Sequence, residues 1–217
     1  MSDFFGKIRS ALTLDLPYLD RAGEDSFREM LVHRKRAQPD FPEEFGQAAV
    51  LVVFGESAVS PGAPRLLLTL RTHTVESHKG QVALPGGMRD PEDTDLASTA
   101  LRETAEEVGI AATELEILGR LPKLATLATG TWITPYLARL KRPIEEVSLH
   151  ISRHEIEEVF WLPWAELAGG EIYSQEWFQT GTIRLPTHVF RYQKFHIWGA
   201  TAAILKNLLD RHQQVVE

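Results

Sequence analysis

Two apolar runs of strand length, residues 48–54 and 66–70, lie either side of Ser60-Pro61-Gly62-Ala63-Pro64, which reads as a turn. A shorter run, residues 82–84, leads into Pro85-Gly86-Gly87, a second expected turn, and then into an acidic loop at residues 90–95. From residue 96 to 108 the apolar spacing changes to the helical period, and Gly109 supplies a stop. Strand patterns return at residues 115–121, 133–140 and 158–162. Residues 163–167 read as a short helix closed by Gly169-Gly170, followed by strands at 182–185 and 189–192. The last helix, residues 198–211, places Ile204, Leu205, Leu208 and Leu209 on one side and Lys206, Asn207 and Asp210 on the other. Near the start, Ser26-Phe27-Arg28-Glu29 has the form of a capping box, opening a helix toward Arg36 that Pro39 and Pro42 close. This order predicts an α/β (α+β) domain over residues 43–217, preceded by a helical N-terminal extension over residues 1–42.

Composition narrows the function more than the fold. Hydrophobic residues make up 43% and charged residues 24%, enough for a real core in a chain of 217 residues. A net charge of −7 argues against nucleic acid as a partner, because affinity for a phosphate backbone comes from clustered Lys and Arg. The absence of cysteine excludes disulfides, thiolate zinc sites and Cys nucleophiles. No apolar run approaches the ~20 residues a membrane span requires. The opening Met1-Ser2-Asp3-Phe4-Phe5, with Asp15, Asp20 and Glu24 behind it, lacks the pattern of a targeting segment, so a cytoplasmic location is expected. Oligomeric state stays open, a homodimer included.

The chemistry concentrates on the helix at residues 96–108. At about 100° per residue, Glu103, Glu106 and Glu107 share one stripe, while Ala97, Leu101, Ala105 and Val108 take the other side. The wheel therefore predicts a buried apolar face and an exposed carboxylate face. Like charges at this spacing cost about 0.2–0.5 kcal/mol per pair. Arg102 can neutralise Glu106 from four residues away, and a hard divalent cation, which favours oxygen ligands, would offset the rest. A solvated acidic face is the plainer reading of three such residues alone. The neighbouring glycine turn and the acids Asp90, Glu92, Asp93 and Asp95 favour instead a site for a metal-bound phosphate.

Gly87, then Arg102-Glu103-Thr104, Glu106-Glu107 and Gly109-Ile110, resemble the signature of the Nudix hydrolases. The stretch from Gly87 to Arg102 is one residue longer than the general pattern. Asp93 and Asp95 flank the slot of its first glutamate, and Thr104 stands where an aliphatic is usual. The extra residue resembles the coenzyme A diphosphatase branch. So do Leu67-Leu68-Thr69-Leu70-Arg71 and the run from His78 through Gly80-Gln81 to Pro85-Gly86-Gly87. Glu76 stands where that branch has an arginine, with Thr72 and Leu84 in its serine and phenylalanine slots. The likeness covers roughly residues 46–210.

The resemblance implies a Nudix α/β/α sandwich with a mixed sheet and Mg²⁺ or Mn²⁺ as cofactor. It implies Glu103 and Glu107 as metal ligands, with Glu106 direct or through water, and Arg102 as the group orienting them. The general base would be Glu103 or Glu155, with Glu155 favoured over its reading as an exposed loop acid. Arg71, His78, Gln81, Gly86 and Gly87 would lie near a nucleotide-diphosphate substrate, although His78 reads equally well as a loop-holding group. The leading substrate is coenzyme A or an acyl form, cut to 3′,5′-ADP and (acyl-)4′-phosphopantetheine. Other nucleoside diphosphate derivatives are the alternative, and a non-catalytic nucleotide sensor is a further one that the retained glutamates oppose. Trp132, Trp161, Trp164, Trp177 and Trp198 read as packing groups.

Overall fold

Strand β1 (Gly46–Ser57) is apolar on both faces, with Ala49, Leu51 and Val53 alternating against Val52 and Phe54, all fully buried. A strand of that kind must lie inside a sheet covered on both sides. The computed structural model describes residues 3–16, 44–73, 80–126, 129–180 and 183–216, together with Tyr18 and Val32. Apart from Val32, the helix expected from Ser26 to Arg36 lies outside the described residues, as do Glu76 and His78.

β1 pairs in parallel with β7 (Thr131–Leu140) on one side and antiparallel with β2 (Ser60–Arg71) on the other. The main sheet runs β3 (Val82–Ala83), β2, β1, β7, β5 (Leu115–Arg120). Three strands lie off this path: β4 (Gly86–Met88) on β1, β6 (Leu124–Thr126) on β7 and β8 (Ile156–Pro163) on β2. The sheet is thus mixed. β1 and β2 share register from Phe54–Leu66 to Ser57–Ser60 and then diverge. Along the diverging part β4 covers Ala48, Ala49 and Val50 of β1, while β3 covers Thr69 and Leu70 of β2. This split in the sheet is where the site forms.

Helix α1 (Phe4–Ala11) precedes the sheet, α2 (Leu96–Val108) follows β4, α3 (Trp164–Gly169) follows β8, and α4 (Gly199–Val216) ends the chain. On one face of the sheet, Ala49, Leu51, Val53 and Leu67 pack with Ala100 and Val108 of α2. On the other, Val52, Phe54, Leu66 and Leu68 pack with Phe4 and Ile8 of α1 and with Ala202, Leu205 and Leu208 of α4. A second sheet, β11 (Phe195–Ile197), β10 (Ile183–Tyr192), β9 (Tyr173–Thr180), contributes Phe190 and Ile197 to this core. Among the described residues no helix is long and apolar enough to cross a membrane.

The structure moves several expected boundaries. Ser60–Pro64 is strand rather than turn; the chain reverses at Ala58-Val59, where the Glu145 carboxylate accepts from the Ala58 N–H (3.0 Å) and from the Ser57 hydroxyl. That partner is distant in sequence and invisible to a local reading. Pro85-Gly86-Gly87 is not wholly a turn, since Gly86 and Gly87 pair with Val50 and Ala49 as β4. Residues 182–185 and 189–192 are not separate strands. β10 continues through Pro186, which pairs with Trp177 of β9 and, among the described residues, has no strand on its other side, where a missing N–H is tolerated. The last helix runs five residues beyond 211, to Val216.

Candidate active site

Helix α2 starts at Asp95, whose side chain accepts from the Ser98 N–H (2.7 Å) while the Asp95 N–H donates back to Ser98 Oγ (3.1 Å). It ends at Gly109 in the left-handed conformation. Thr104 fills its apolar slot without an unpaired hydroxyl, because Oγ1 donates to the Ala100 carbonyl at 2.7 Å.

The three glutamates form a gradient across the helix rather than one exposed face. Glu106 is 59% exposed, Glu103 17% and Glu107 only 2%. The expected exposed carboxylate face is corrected accordingly. Glu107 borders the buried stripe of Ala100, Thr104 and Val108 and lies under the split in the sheet, where polar partners meet it. Arg71 Nη1 donates to its Oε1 at 3.0 Å, and the Gly86 N–H donates to its Oε2 at 3.2 Å. Burial nevertheless pushes the Glu107 carboxyl up to about 7, against the pull of Arg71 and Gly86, with the charges of Glu103 and Glu155 acting in the same direction as burial. Burial also raises Glu103, against Arg102.

Glu103 lies directly over Gly87: a Cβ built there would come within 2.5 Å of the carboxyl carbon. The glycine leaves room for the carboxylate.

Arg102 gathers the opposite side of the cluster. Its Nε and Nη2 each stand 3.0 Å from an oxygen of Asp93, a fork-to-fork pairing. Its Nη1 donates to Glu103 (2.9 Å) and Glu106 (3.2 Å), and Nη2 also reaches the Met88 carbonyl (3.2 Å). Asp93 is itself fixed by the Thr99 hydroxyl (2.8 Å) and the Asp90 N–H (2.9 Å), and Arg102 holds its carboxyl well below the usual carboxylate range. Reading the sequence missed this anchor. The fork between residues nine apart, closed through a loop, leaves no helical or strand periodicity to detect.

Glu155, in the loop before β8, reaches the same place: Arg71 Nη2 lies 3.8 Å from its Oε2, and the Thr72 N–H donates to its carbonyl at 2.7 Å. The Arg71 N–H donates to the Gln81 carbonyl (3.0 Å), so Gln81 adjoins the cluster through its backbone. Of the residues singled out from the sequence, Arg71, Gln81, Gly86, Gly87, Arg102, Glu103, Glu106, Glu107 and Glu155 are brought together; His78 lies outside the described residues.

Among the described residues, no three acids or imidazoles stand close enough to enclose an ion. Arg71 and Arg102 divide the carboxylates into two ion-paired sets, Glu107 with Glu155 and Asp93 with Glu103 and Glu106. The donor chemistry fits a hard divalent cation. The groups are all carboxylates, two of them have pKa values raised by burial, and each adds to the others' electrostatic cost.

The family model of the NUDIX domain matches residues 44–181. An uncharacterized Nudix hydrolase of Photorhabdus laumondii, NudL, is 36% identical over 150 residues, covering 69% of this chain and 78% of that one. The mitochondrial coenzyme A diphosphatase NUDT8 of Homo sapiens is 37% identical over 197 residues, covering 88% of this chain and 79% of its own length. A solved MutT/nudix family protein from Enterococcus faecalis aligns with a TM-score of 0.49 at 15% identity, over 92% of this chain and 76% of that one.

Proposed function

We propose, from the premise that this chain belongs to the Nudix family of hydrolases, that it is a diphosphatase whose substrate is coenzyme A or an acyl form of it. The products are 3′,5′-ADP and (acyl-)4′-phosphopantetheine. The observation that carries the reading is the pairing of Arg71 with Glu107. It joins the segment resembling the coenzyme A branch, Leu67 to Arg71, to the Nudix helix in a single site. The human coenzyme A diphosphatase, similar over most of this chain, supports the same substrate.

Glu103, Glu106 and Glu107 would hold Mg²⁺ or Mn²⁺, which supplies Lewis-acid neutralisation of charge on the diphosphate when bound. The protein's own part is positional. Water attacks one phosphorus in line, the bridging P–O bond breaks, and the departing phosphate ester takes the electron pair. Glu155, a solvent-accessible carboxylate beside Arg71, accepts the water's proton; Glu103, half-buried, is the second group able to do so. Arg102, fixed by Asp93, keeps Glu103 and Glu106 aligned. Arg71 neutralises Glu107 and Glu155 before substrate arrives and faces the phosphates afterwards. Glu76, in place of the branch arginine, weakens dependence on the 3′-phosphate.

A panel of coenzyme A, its 3′-dephospho form, ADP-ribose, a dinucleoside polyphosphate and a nucleoside triphosphate, each with Mg²⁺ and Mn²⁺, tests this reading. Coenzyme A should show the highest kcat/KM and release 3′,5′-ADP. Inertness toward both coenzyme A forms beside cleavage of another diphosphate would remove the proposed substrate and leave the diphosphatase.

A further inference from the structure

A cavity of about 310 Å³ opens at the end of β2 and β8, on the face of the sheet away from α2. The strand register shows how it adjoins the carboxylate cluster. Leu70 pairs with Val82 on one side and Glu158 on the other, while the next residue, Arg71, turns to Glu107. Leu70 packs instead with the core shared by α4 and the small sheet. Glu157 lines the cavity two residues after Glu155. Where the register shifts at this strand end, Leu70 faces the cavity and Arg71 the cluster, so the two places adjoin.

The cavity is mixed in character, with apolar side chains on one part of its wall and polar groups, acidic in balance, on the rest. Leu70, Val82, Phe195 and Trp198 form the apolar part of its lining, beside Gly80 and His196, with Phe195 stacked on Phe160 (centroids 3.7 Å apart) and Trp198 stacked on Phe178 (6.4 Å). Of the charges at the rim, Lys194 is paired to Glu158 at 2.6 Å, and Glu157 adds a second carboxylate. A phosphate entering here would meet carboxylates in excess over the one paired lysine. An uncharged chain of alkyl groups and amides suits it: methylenes against the rings, amide N–H groups toward the carboxylates, amide carbonyls toward Lys194. Its volume lies within the range of small-molecule sites.

We infer that this cavity binds the pantetheine arm of the substrate, an assignment that rests on the coenzyme A reading above. The arm has a dozen chain atoms beyond the phosphate and extends roughly 14 Å at about 3.5 Å for every three backbone bonds. That exceeds the ~10 Å between packed layers, so an arm whose diphosphate lies at the cluster can round the strand end and enter. The nucleotide end stays outside the cavity. Specificity for the pantetheine part of the substrate is thereby built largely from β2, β3 and β11, apart from the residues that carry the hydrolysis.

Methyl NMR on the wild-type protein tests the assignment without a variant. Added pantetheine should shift the methyl signals of Leu70 and Val82, and added 3′,5′-ADP should leave them in place. Kinetics give a second measure. Filling the cavity by Leu70→Trp should raise KM for coenzyme A about tenfold or more, the scale of a lost apolar pocket contact, with kcat held near wild type. Trp198→Ala should act in the same direction. If coenzyme A is cleaved but pantetheine leaves those methyls unmoved, or if 3′,5′-ADP moves them instead, the assignment is wrong while the substrate stands. If coenzyme A is not cleaved and another diphosphate is, the substrate reading falls and takes the assignment with it.

Discussion

A Cβ on Gly87 would come 2.5 Å from the carboxyl group of Glu103, whereas one on Gly86 would come 2.3 Å from the Ala49 carbonyl oxygen, with φ at +150°. The two glycines thus do different work. A glutamate tip can swing aside, but the backbone of β1 cannot. Gly87→Ala should leave Tm within a few degrees of wild type and lower kcat by on the order of tenfold, by displacing Glu103. Gly86→Ala should lower Tm itself, because it strains the β4–β1 pairing. Thermal melts beside steady-state rates check both; a Gly87→Ala enzyme with wild-type kcat would remove Glu103 from the reaction. The glycines, the helix glutamates and Arg71 were all legible as candidates in the sequence. The burial of Glu107 was not. A helical wheel ranks positions by their own helix, and Glu107 is covered by a guanidinium and an N–H from two strands. Asp93 was visible only as an acid near a motif slot, and its function as the anchor of Arg102 depends on the fold of the loop.

Among the elements, α2 was read to the residue, from the change of period at Leu96 to the stop at Gly109, because both signals are local. The strands β6, β9 and β11 were not. β6 and β11 are three residues long, and β9 (Tyr-Ser-Gln-Glu-Trp-Phe-Gln-Thr) carries no apolar alternation of the usual kind. Helix α4 was found, but its most consequential residue was not. Arg211 is 1% exposed, with Nε donating to Asn207 (2.7 Å) and its other nitrogens to the carbonyls of Ala11, Leu14 and Leu16. It ties the end of α1 and the segment after it to α4. Removing a buried charge-assisted group of this kind costs about 3 kcal/mol, or roughly 10 °C in Tm for a chain of this size. Arg211→Ala should show that loss in a thermal melt while the surviving folded protein keeps its kcat, since α4 covers the face of the sheet opposite the carboxylates. A variant melting with wild type would show that Arg211 does not hold the N-terminal helix, leaving that to contacts such as those of Phe4 and Ile8 in the core and of Arg9 with Glu116.

At the scale of the whole molecule, the split between β1 and β2 explains why a site exists at all. Continuous pairing would carry β2 alongside all of β1. Divergence admits β3 and β4, brings the Gly86 N–H to Glu107, and sets Arg71 between the helix and the loop of Glu155. The result is a cluster of carboxylates, two of them protonated more readily than usual, each held by an arginine. A divalent cation answers that excess of negative charge, and by mass action its binding should stabilise the fold. The most direct test is Mg²⁺ titrated against coenzyme A turnover and against Tm, in wild type and in Glu107→Gln. The account predicts that wild-type turnover requires the cation and that Tm rises with it. Glu107→Gln should lose at least ~10²-fold in kcat and most of the cation-induced rise in Tm, while remaining folded. Equal turnover and an equal rise in Tm in the two proteins would contradict it.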